Sequence, residues 1–211
     1  MNSDPILKIY KEKREEIEER LDSFRKKGAG SDSEVFAELC FCLMTPQSRA
    51  IAADAALKRI VKRGLLFSTD IEKIKESLTG VRFHNKKSIY IVEAGRRFAP
   101  SRGVSIKEYL SEKDDRKMRG TLAADIKGLG YKEASHFMRN IGRGTELAIL
   151  DRHILKGLKT RNVIEDFPLN ITPSVYLEIE QKMKNYAHDI GVPIEALDLI
   201  FWYMQTGFFF R

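Results

Sequence analysis

Gly128 and Gly130 stand two residues apart between two segments of helical periodicity, and this interruption constrains the fold more than any other feature. The run reads Ile126-Lys127-Gly128-Leu129-Gly130-Tyr131-Lys132-Glu133-Ala134 and continues as Ser135-His136-Phe137-Met138-Arg139-Asn140. Glycine permits positive φ and close approach of the backbone to another group, so a Gly-x-Gly connection reads as a tight turn between successive helices. The second helix would offer free backbone amides and a partial positive charge at its N-terminus, which are the elements of a phosphate site. Lys127 adds a cation. Contacts of this kind to a DNA backbone are independent of sequence and sensitive to salt. An ordinary interhelical turn has the same spelling, so Gly128 and Gly130 alone leave both readings open.

Lys132 narrows the choice. It falls in the first turn of the second helix, where the macrodipole disfavours a cation. A lysine placed against helix stability is a candidate nucleophile, since its free amine can attack a sugar carbon and form a Schiff base. Farther along, the apolar run Leu147-Ala148-Ile149-Leu150 ends at Asp151, which opens Arg152-His153-Ile154-Leu155. Asp151 is a natural helix N-cap. A carboxylate fixed in that way stays rigid, and it can also stabilise positive charge developing on a deoxyribose ring. The pair Lys132 and Asp151, rather than either residue, points to catalysis.

The rest of the chain is also helical in period. Residues 5–26 form a charged amphipathic segment marked by Ile6, Ile9, Ile17 and Leu21. Ser31-Asp32-Ser33 supplies capping groups for Val35–Leu43, which is apolar nearly all round and reads as central and buried. Thr45-Pro46 ends it. Further helices are expected near 49–63, 70–78, 85–98, 106–110, 121–126, 132–141, 152–159, 174–190 and 194–206. No stretch reads as a strand. The expectation is an all-α bundle of about ten helices.

With 43% hydrophobic and 32% charged residues, the 211-residue chain is expected to fold rather than remain disordered. No apolar run reaches the roughly 20 residues of a membrane helix, and Met1–Pro5 leads straight into a charged helix, so no membrane role and a cytoplasmic location are expected. The net charge of +7 suits a polyanionic partner. The basic group Arg82, His84, Lys86, Lys87, Arg96 and Arg97 lies before and along one helix, and Lys86 and Lys87 are candidate phosphate contacts. Cys40 and Cys42 face different directions on a helix and read as buried thiols. Two cysteines are too few for a protein-held [4Fe–4S] cluster. His84, His136, His153 and His188 show no paired ligand spacing, so neither metal nor cofactor is expected.

Five stretches carry a resemblance to a known family: Glu38-Leu39-Cys40-Phe41-Cys42; Arg82-Phe83-His84 with Tyr90-Ile91-Val92; Gly130–Phe137; Asp151–Leu155; and Leu197-Asp198-Leu199 with Trp202-Tyr203. Together they resemble the archaeal-type 8-oxoguanine DNA glycosylase/lyase family of the helix-hairpin-helix DNA glycosylase superfamily. The resemblance implies a bifunctional enzyme that removes 8-oxoguanine from double-stranded DNA and cleaves the abasic site by β-elimination. A glycosylase for oxidised pyrimidines, or a non-catalytic DNA-binding module, are the alternatives. The resemblance further implies Lys132 as nucleophile, Asp151 as its partner, and Phe83 and Trp202 as walls holding a flipped base with Asp198 at its polar edge. Taking a base out of the stack requires such compensation. Family members end in a lysine whose terminal carboxylate reaches the base, and here Arg211 holds that place after Phe208-Phe209-Phe210. Thr45-Pro46-Gln47-Ser48 resembles the loop of endonuclease III-like enzymes whose glutamine enters the gap left by the flipped nucleotide. Two lobes flanking a DNA cleft are expected, residues 1–30 with 146–211 and residues 31–145, in a monomer associated with the nucleoid.

Overall fold

The computed structural model describes residues 4–102 and 104–210. Among them are twelve α-helices, one 3-10 turn at Pro100–Arg102 and no strand. The helices are α1 Pro5–Glu12, α2 Arg14–Ala29, α3 Asp32–Met44, α4 Ala50–Lys62, α5 Ile71–Ser77, α6 His84–Phe98, α7 Ile106–Tyr109, α8 Asp115–Asp125, α9 Tyr131–Asn140, α10 Arg152–Thr160, α11 Pro173–Ile190 and α12 Ile194–Thr206. The all-α expectation holds.

Two elements differ from the sequence reading. The segment expected as one helix over 5–26 is broken at Lys13. Its two halves pack on different partners, α1 against α12 and α2 against α3 and α9, and this overrides the continuous amphipathic pattern. Helix α8 begins at Asp115 rather than near Thr121. Asp114 caps it through Oδ1, which accepts from the Arg116 and Lys117 amides at 2.9 and 3.1 Å. Its polar first turn hid it from a search for apolar periodicity.

Helix α3 is the central rod. Every residue from Leu39 to Met44 is buried, and a capping box between Ser31 and Glu34 starts the helix. Glu38 is buried in the same rod, its carboxylate accepting from Lys27 Nζ at 2.9 Å and Asn140 Nδ2 at 2.7 Å.

The buried apolar side chains form two clusters. One draws on α3 to α9 and ends at Leu147. The other draws on α1, α2 and α10 to α12 and begins again at Ala148. A buried ion pair spans their boundary: Arg119 of α8 grips both carboxylate oxygens of Glu180 of α11, at 2.5 and 3.2 Å. Its guanidinium also lies over the rings of Tyr131 and Tyr176, at 4.9 and 5.4 Å. Glu180 accepts from the Ala148 amide, and the Tyr176 hydroxyl donates to the Ala148 carbonyl and accepts from the Leu150 amide. The run that leads to Asp151 is thus pinned to α11.

Candidate active site

Helices α8 and α9 meet at the glycine turn. Gly128 has φ +90°, and an added Cβ would lie 2.3 Å from Tyr90 Cδ2. Both backbone conformation and the close approach of Tyr90 demand glycine here. Gly130 differs: it is the N-cap of α9 with an extended backbone at φ −92°, so positive φ does not explain it. The turn presents Lys127 outward, with Nζ 3.3 Å from Glu93 Oε1 and a side chain 64% exposed. An exposed pair of this kind is weak enough to exchange for a phosphate.

Lys132 is the second residue of α9 and is half-buried. Its Nζ lies 3.0 Å from Glu133 Oε1, a carboxylate to which the sequence reading gave no role. Asp151 caps α10: Oδ1 accepts from the His153 and Ile154 amides, both at 2.8 Å. No hydrogen bond or ion pair joins Lys132 to Asp151 among the described residues. Arg139 of α9 pairs with Asp198 of α12 at 3.1 Å. Burial pushes the Asp198 carboxyl up from its usual range, Arg139 opposes this, and the negative charge of Asp151 reinforces it. On the other side, burial holds the Cys42 thiol protonated, with Glu38, Lys132, Arg139 and Glu133 all near enough to act on it. Two charge pairs thus lie at opposite ends of α9, Lys132 with Glu133 at its start and Arg139 with Asp198 near its end, and the charge of Asp151 bears on the second.

Phe83 is 52% exposed and precedes α6 with φ +57°, a left-handed backbone rare for a bulky residue. The Arg82 guanidinium lies 5.5 Å from its ring centroid. Trp202 is half-buried on α12 and stacks on Phe210 with centroids 6.1 Å apart at 28°. Its indole N–H is buried without an acceptor, an arrangement that in folded proteins calls for a partner. No ring contact joins Phe83 to Trp202 among the described residues, and Phe210 is the aromatic that lies on the indole. Arg211 lies outside the described residues.

Lys86 is exposed. Lys87 corrects the sequence reading. It is buried, 4% exposed, and its ammonium donates to Met44 O at 2.6 Å, Pro46 O at 2.6 Å and Ser48 Oγ at 3.0 Å. All three donors are used within the protein, so none remains for a phosphate. Gln47 sits exposed at the tip of the loop that Lys87 holds, with φ +53°. Arg97 is likewise engaged, bound to Asp125 at 2.7 Å.

Two surface depressions lie beside these elements. One of about 280 Å³ flanks the glycine turn and is lined by Tyr90, Arg97 and Lys127, and another lies between α2 and Phe208-Phe209. Neither is lined by Lys132 or Asp151.

A glycine-turned helix pair, an amine at the start of its second helix and a capping aspartate on the next helix define a helix-hairpin-helix protein. The family described as 8-oxoguanine DNA glycosylase matches residues 17–192. The chain belongs to that family. It is 39% identical over 208 residues to the 8-oxoguanine DNA glycosylase/AP lyase of Fusobacterium nucleatum, covering 98% of this chain and 96% of the relative. It is 37% identical over 194 residues to the protein so named in Methanocaldococcus jannaschii, covering 90% and 89%. Among solved structures, the 8-oxoguanine DNA glycosylase of Thermotoga maritima superposes with a TM-score of 0.87 at 30% identity, covering 98% of this chain and 96% of that one. The M. jannaschii enzyme in complex with a 15mer DNA containing 8-oxoguanine gives 0.86 at 33% identity, covering 98% and 99%.

Proposed function

We propose that this protein is a bifunctional DNA glycosylase/abasic-site lyase that removes 8-oxoguanine from double-stranded DNA through a Schiff base on Lys132. The observation that carries the reading is the placement of Lys132 in the first turn of α9, just after the Gly128–Gly130 turn, half-buried and paired with Glu133 at 3.0 Å. Membership of the family supports the substrate.

In this reading the Gly128 to Gly130 turn and Lys127 grip phosphates, Lys86 adds an exposed cation, and Gln47 faces the gap in the duplex. The base leaves sandwiched between Phe83 and Trp202, with Asp198 at its polar edge. The free amine of Lys132 attacks C1′ of the deoxyribose as the glycosidic bond breaks, and the departing base takes up a proton. The capped carboxylate of Asp151 stabilises the positive charge on the sugar. The amine adduct opens to an imine, loss of a C2′ proton expels the 3′ phosphate, and water releases the enzyme. No metal or cofactor takes part. The protein acts as a monomer in the cytoplasm, on DNA of the nucleoid, with the duplex lying across the boundary between the two apolar clusters. No helix among the described residues is long and apolar enough to cross a membrane.

Borohydride trapping tests this reading on duplexes carrying 8-oxoguanine, thymine glycol or no lesion. A covalent adduct with the 8-oxoguanine duplex is expected, and Lys132→Gln should abolish it while lesion binding stays measurable. Trapping that favours thymine glycol would move the substrate to oxidised pyrimidines, and normal trapping by Lys132→Gln would remove the nucleophile assignment.

A further inference from the structure

Two exposed residues with left-handed backbones, Gln47 at φ +53° and Phe83 at φ +57°, flank one buried lysine. Only one other non-glycine residue with positive φ, Asn162, occurs among the described residues. Such conformations are disfavoured for residues with a Cβ and persist only where the surroundings impose them. Lys87 supplies the constraint. It rises from the first turn of α6, and its amide donates to the Phe83 carbonyl at 3.0 Å. Its ammonium reaches back to the C-terminal end of α3, where carbonyls lack helical partners and a cation is favoured. There the three N–H donors are matched by three oxygens, all within Met44 to Ser48. Ser48 Oγ also accepts from the Arg82 amide at 3.0 Å, which ties the loop to the residue before Phe83.

A buried ammonium is costly unless fully hydrogen-bonded. Here no carboxylate neutralises it by direct contact, since all three partners are neutral loop oxygens. Loop geometry is therefore what the burial of Lys87 secures. We infer that Lys87 is a positioning residue for DNA capture, whose buried ammonium locks the Met44–Ser48 loop and the Arg82-Phe83 turn into one rigid element, so that Gln47 and Phe83 meet the duplex in fixed register. The inference rests on the reading of Gln47 and Phe83 as DNA-facing groups.

The test is a double-mutant cycle on Lys87→Met and Gln47→Ala. The probe is a tetrahydrofuran abasic analogue, bound without cleavage, in duplex and in single-stranded form, with melting temperatures recorded in parallel. Each single variant should weaken duplex capture by about tenfold and affect single-strand binding far less. The double variant should be no weaker than the poorer single one, because both changes remove the same presented tip. A normal Gln47→Ala variant would overturn the DNA-facing reading of the loop and the inference with it. A weakened Gln47→Ala beside a normal Lys87→Met, or strictly additive losses, would overturn the inference and leave that reading standing. Should Lys87→Met fail to fold, Ser48→Ala removes one clamp oxygen and the link to Arg82. It should then weaken duplex capture by about threefold, non-additively with Gln47→Ala, and a normal Ser48→Ala would refute the clamp.

Discussion

Asp151 has two roles to separate, cap and catalyst, and Asp151→Asn separates them. The cap consists of two hydrogen bonds at 2.8 Å onto Oδ1, from the His153 and Ile154 amides. Asparagine keeps an acceptor in that place and caps nearly as well as aspartate. What disappears is the negative charge at the N-terminus of α10, worth about 0.3–1 kcal/mol to the helix. The loss is partly offset, since that charge also bears on the buried carboxyl of Asp198. The net change in stability is expected to stay below about 1 kcal/mol, a shift in Tm of about 2–4 °C at most for a chain of this size. Catalysis has no such substitute. An uncharged amide cannot stabilise a cationic sugar, and removing one electrostatic stabiliser of a transition state costs about 100- to 1,000-fold in rate. Single-turnover excision from an 8-oxoguanine duplex under excess enzyme measures that rate, and binding of the abasic analogue measures affinity. The expected pattern is a large fall in rate, near-normal affinity and near-normal melting. Asp151→Ala, which removes both cap and charge, should add a stability loss of about 0.5–2 kcal/mol. An Asp151→Asn variant that excises within threefold of wild type would reduce Asp151 to a helix cap.

Phe83→Ala should leave Tm nearly unchanged, since the ring is 52% exposed. It should lower 8-oxoguanine excision strongly and cleavage of a pre-formed abasic site much less, and equal falls in the two would refute the base-wall role. Burial pulls the Lys87 amine down to about 8, against the pull of Glu133 and with the help of Lys132 and Arg82. Below that pH an ammonium fills three acceptors; above it a neutral amine has only two N–H groups, so duplex capture should weaken as pH rises through about 8. The same titration should be flat in Lys87→Met, and a flat wild-type profile would refute the prediction. Arg119→Met leaves the Glu180 carboxylate buried beside an apolar chain, and urea unfolding should show a loss of about 3–5 kcal/mol; a loss under 1 kcal/mol would mean that water already reaches the pair.

Helix positions were legible because apolar side chains recur at helical spacing, and α3 was recognisable as central from its unbroken apolar run. The Gly128 turn was legible because positive φ and close approach both select glycine. Lys87 was misread for a physical reason. A lysine beside Lys86 in a basic stretch looks solvated, and only the folded chain shows that its stem crosses to α3 and ends on Met44 and Pro46 carbonyls. The pair Arg139–Asp198 and the grip of Arg119 on Glu180 were equally hidden, since each joins helices far apart in sequence. Trp202, expected as a base wall, is half-buried, with Phe210 on its face and an indole N–H without a partner among the described residues.

The buried pair at the cluster boundary explains how two catalytic candidates from separate elements can be held in register. Arg119 lies against Tyr131, the residue before Lys132, and against Ser135 one turn along the same helix. Its partner Glu180 holds the Ala148 amide, and Tyr176, stacked edge-on with Tyr131 at 5.7 Å, holds Ala148 and Leu150. One network therefore touches the start of the lysine helix and the run that ends at Asp151. Apolar packing alone could stabilise this boundary as well or better. What apolar side chains could not do is satisfy the backbone of residues 148–150, which is buried and belongs to no helix or strand. A buried carboxylate and a phenol supply the acceptors and donors that this segment needs. The guanidinium then follows as the partner that the carboxylate requires. The polar core is thus a consequence of leading a bare chain to the aspartate, and the position of Asp151 relative to Lys132 depends on it.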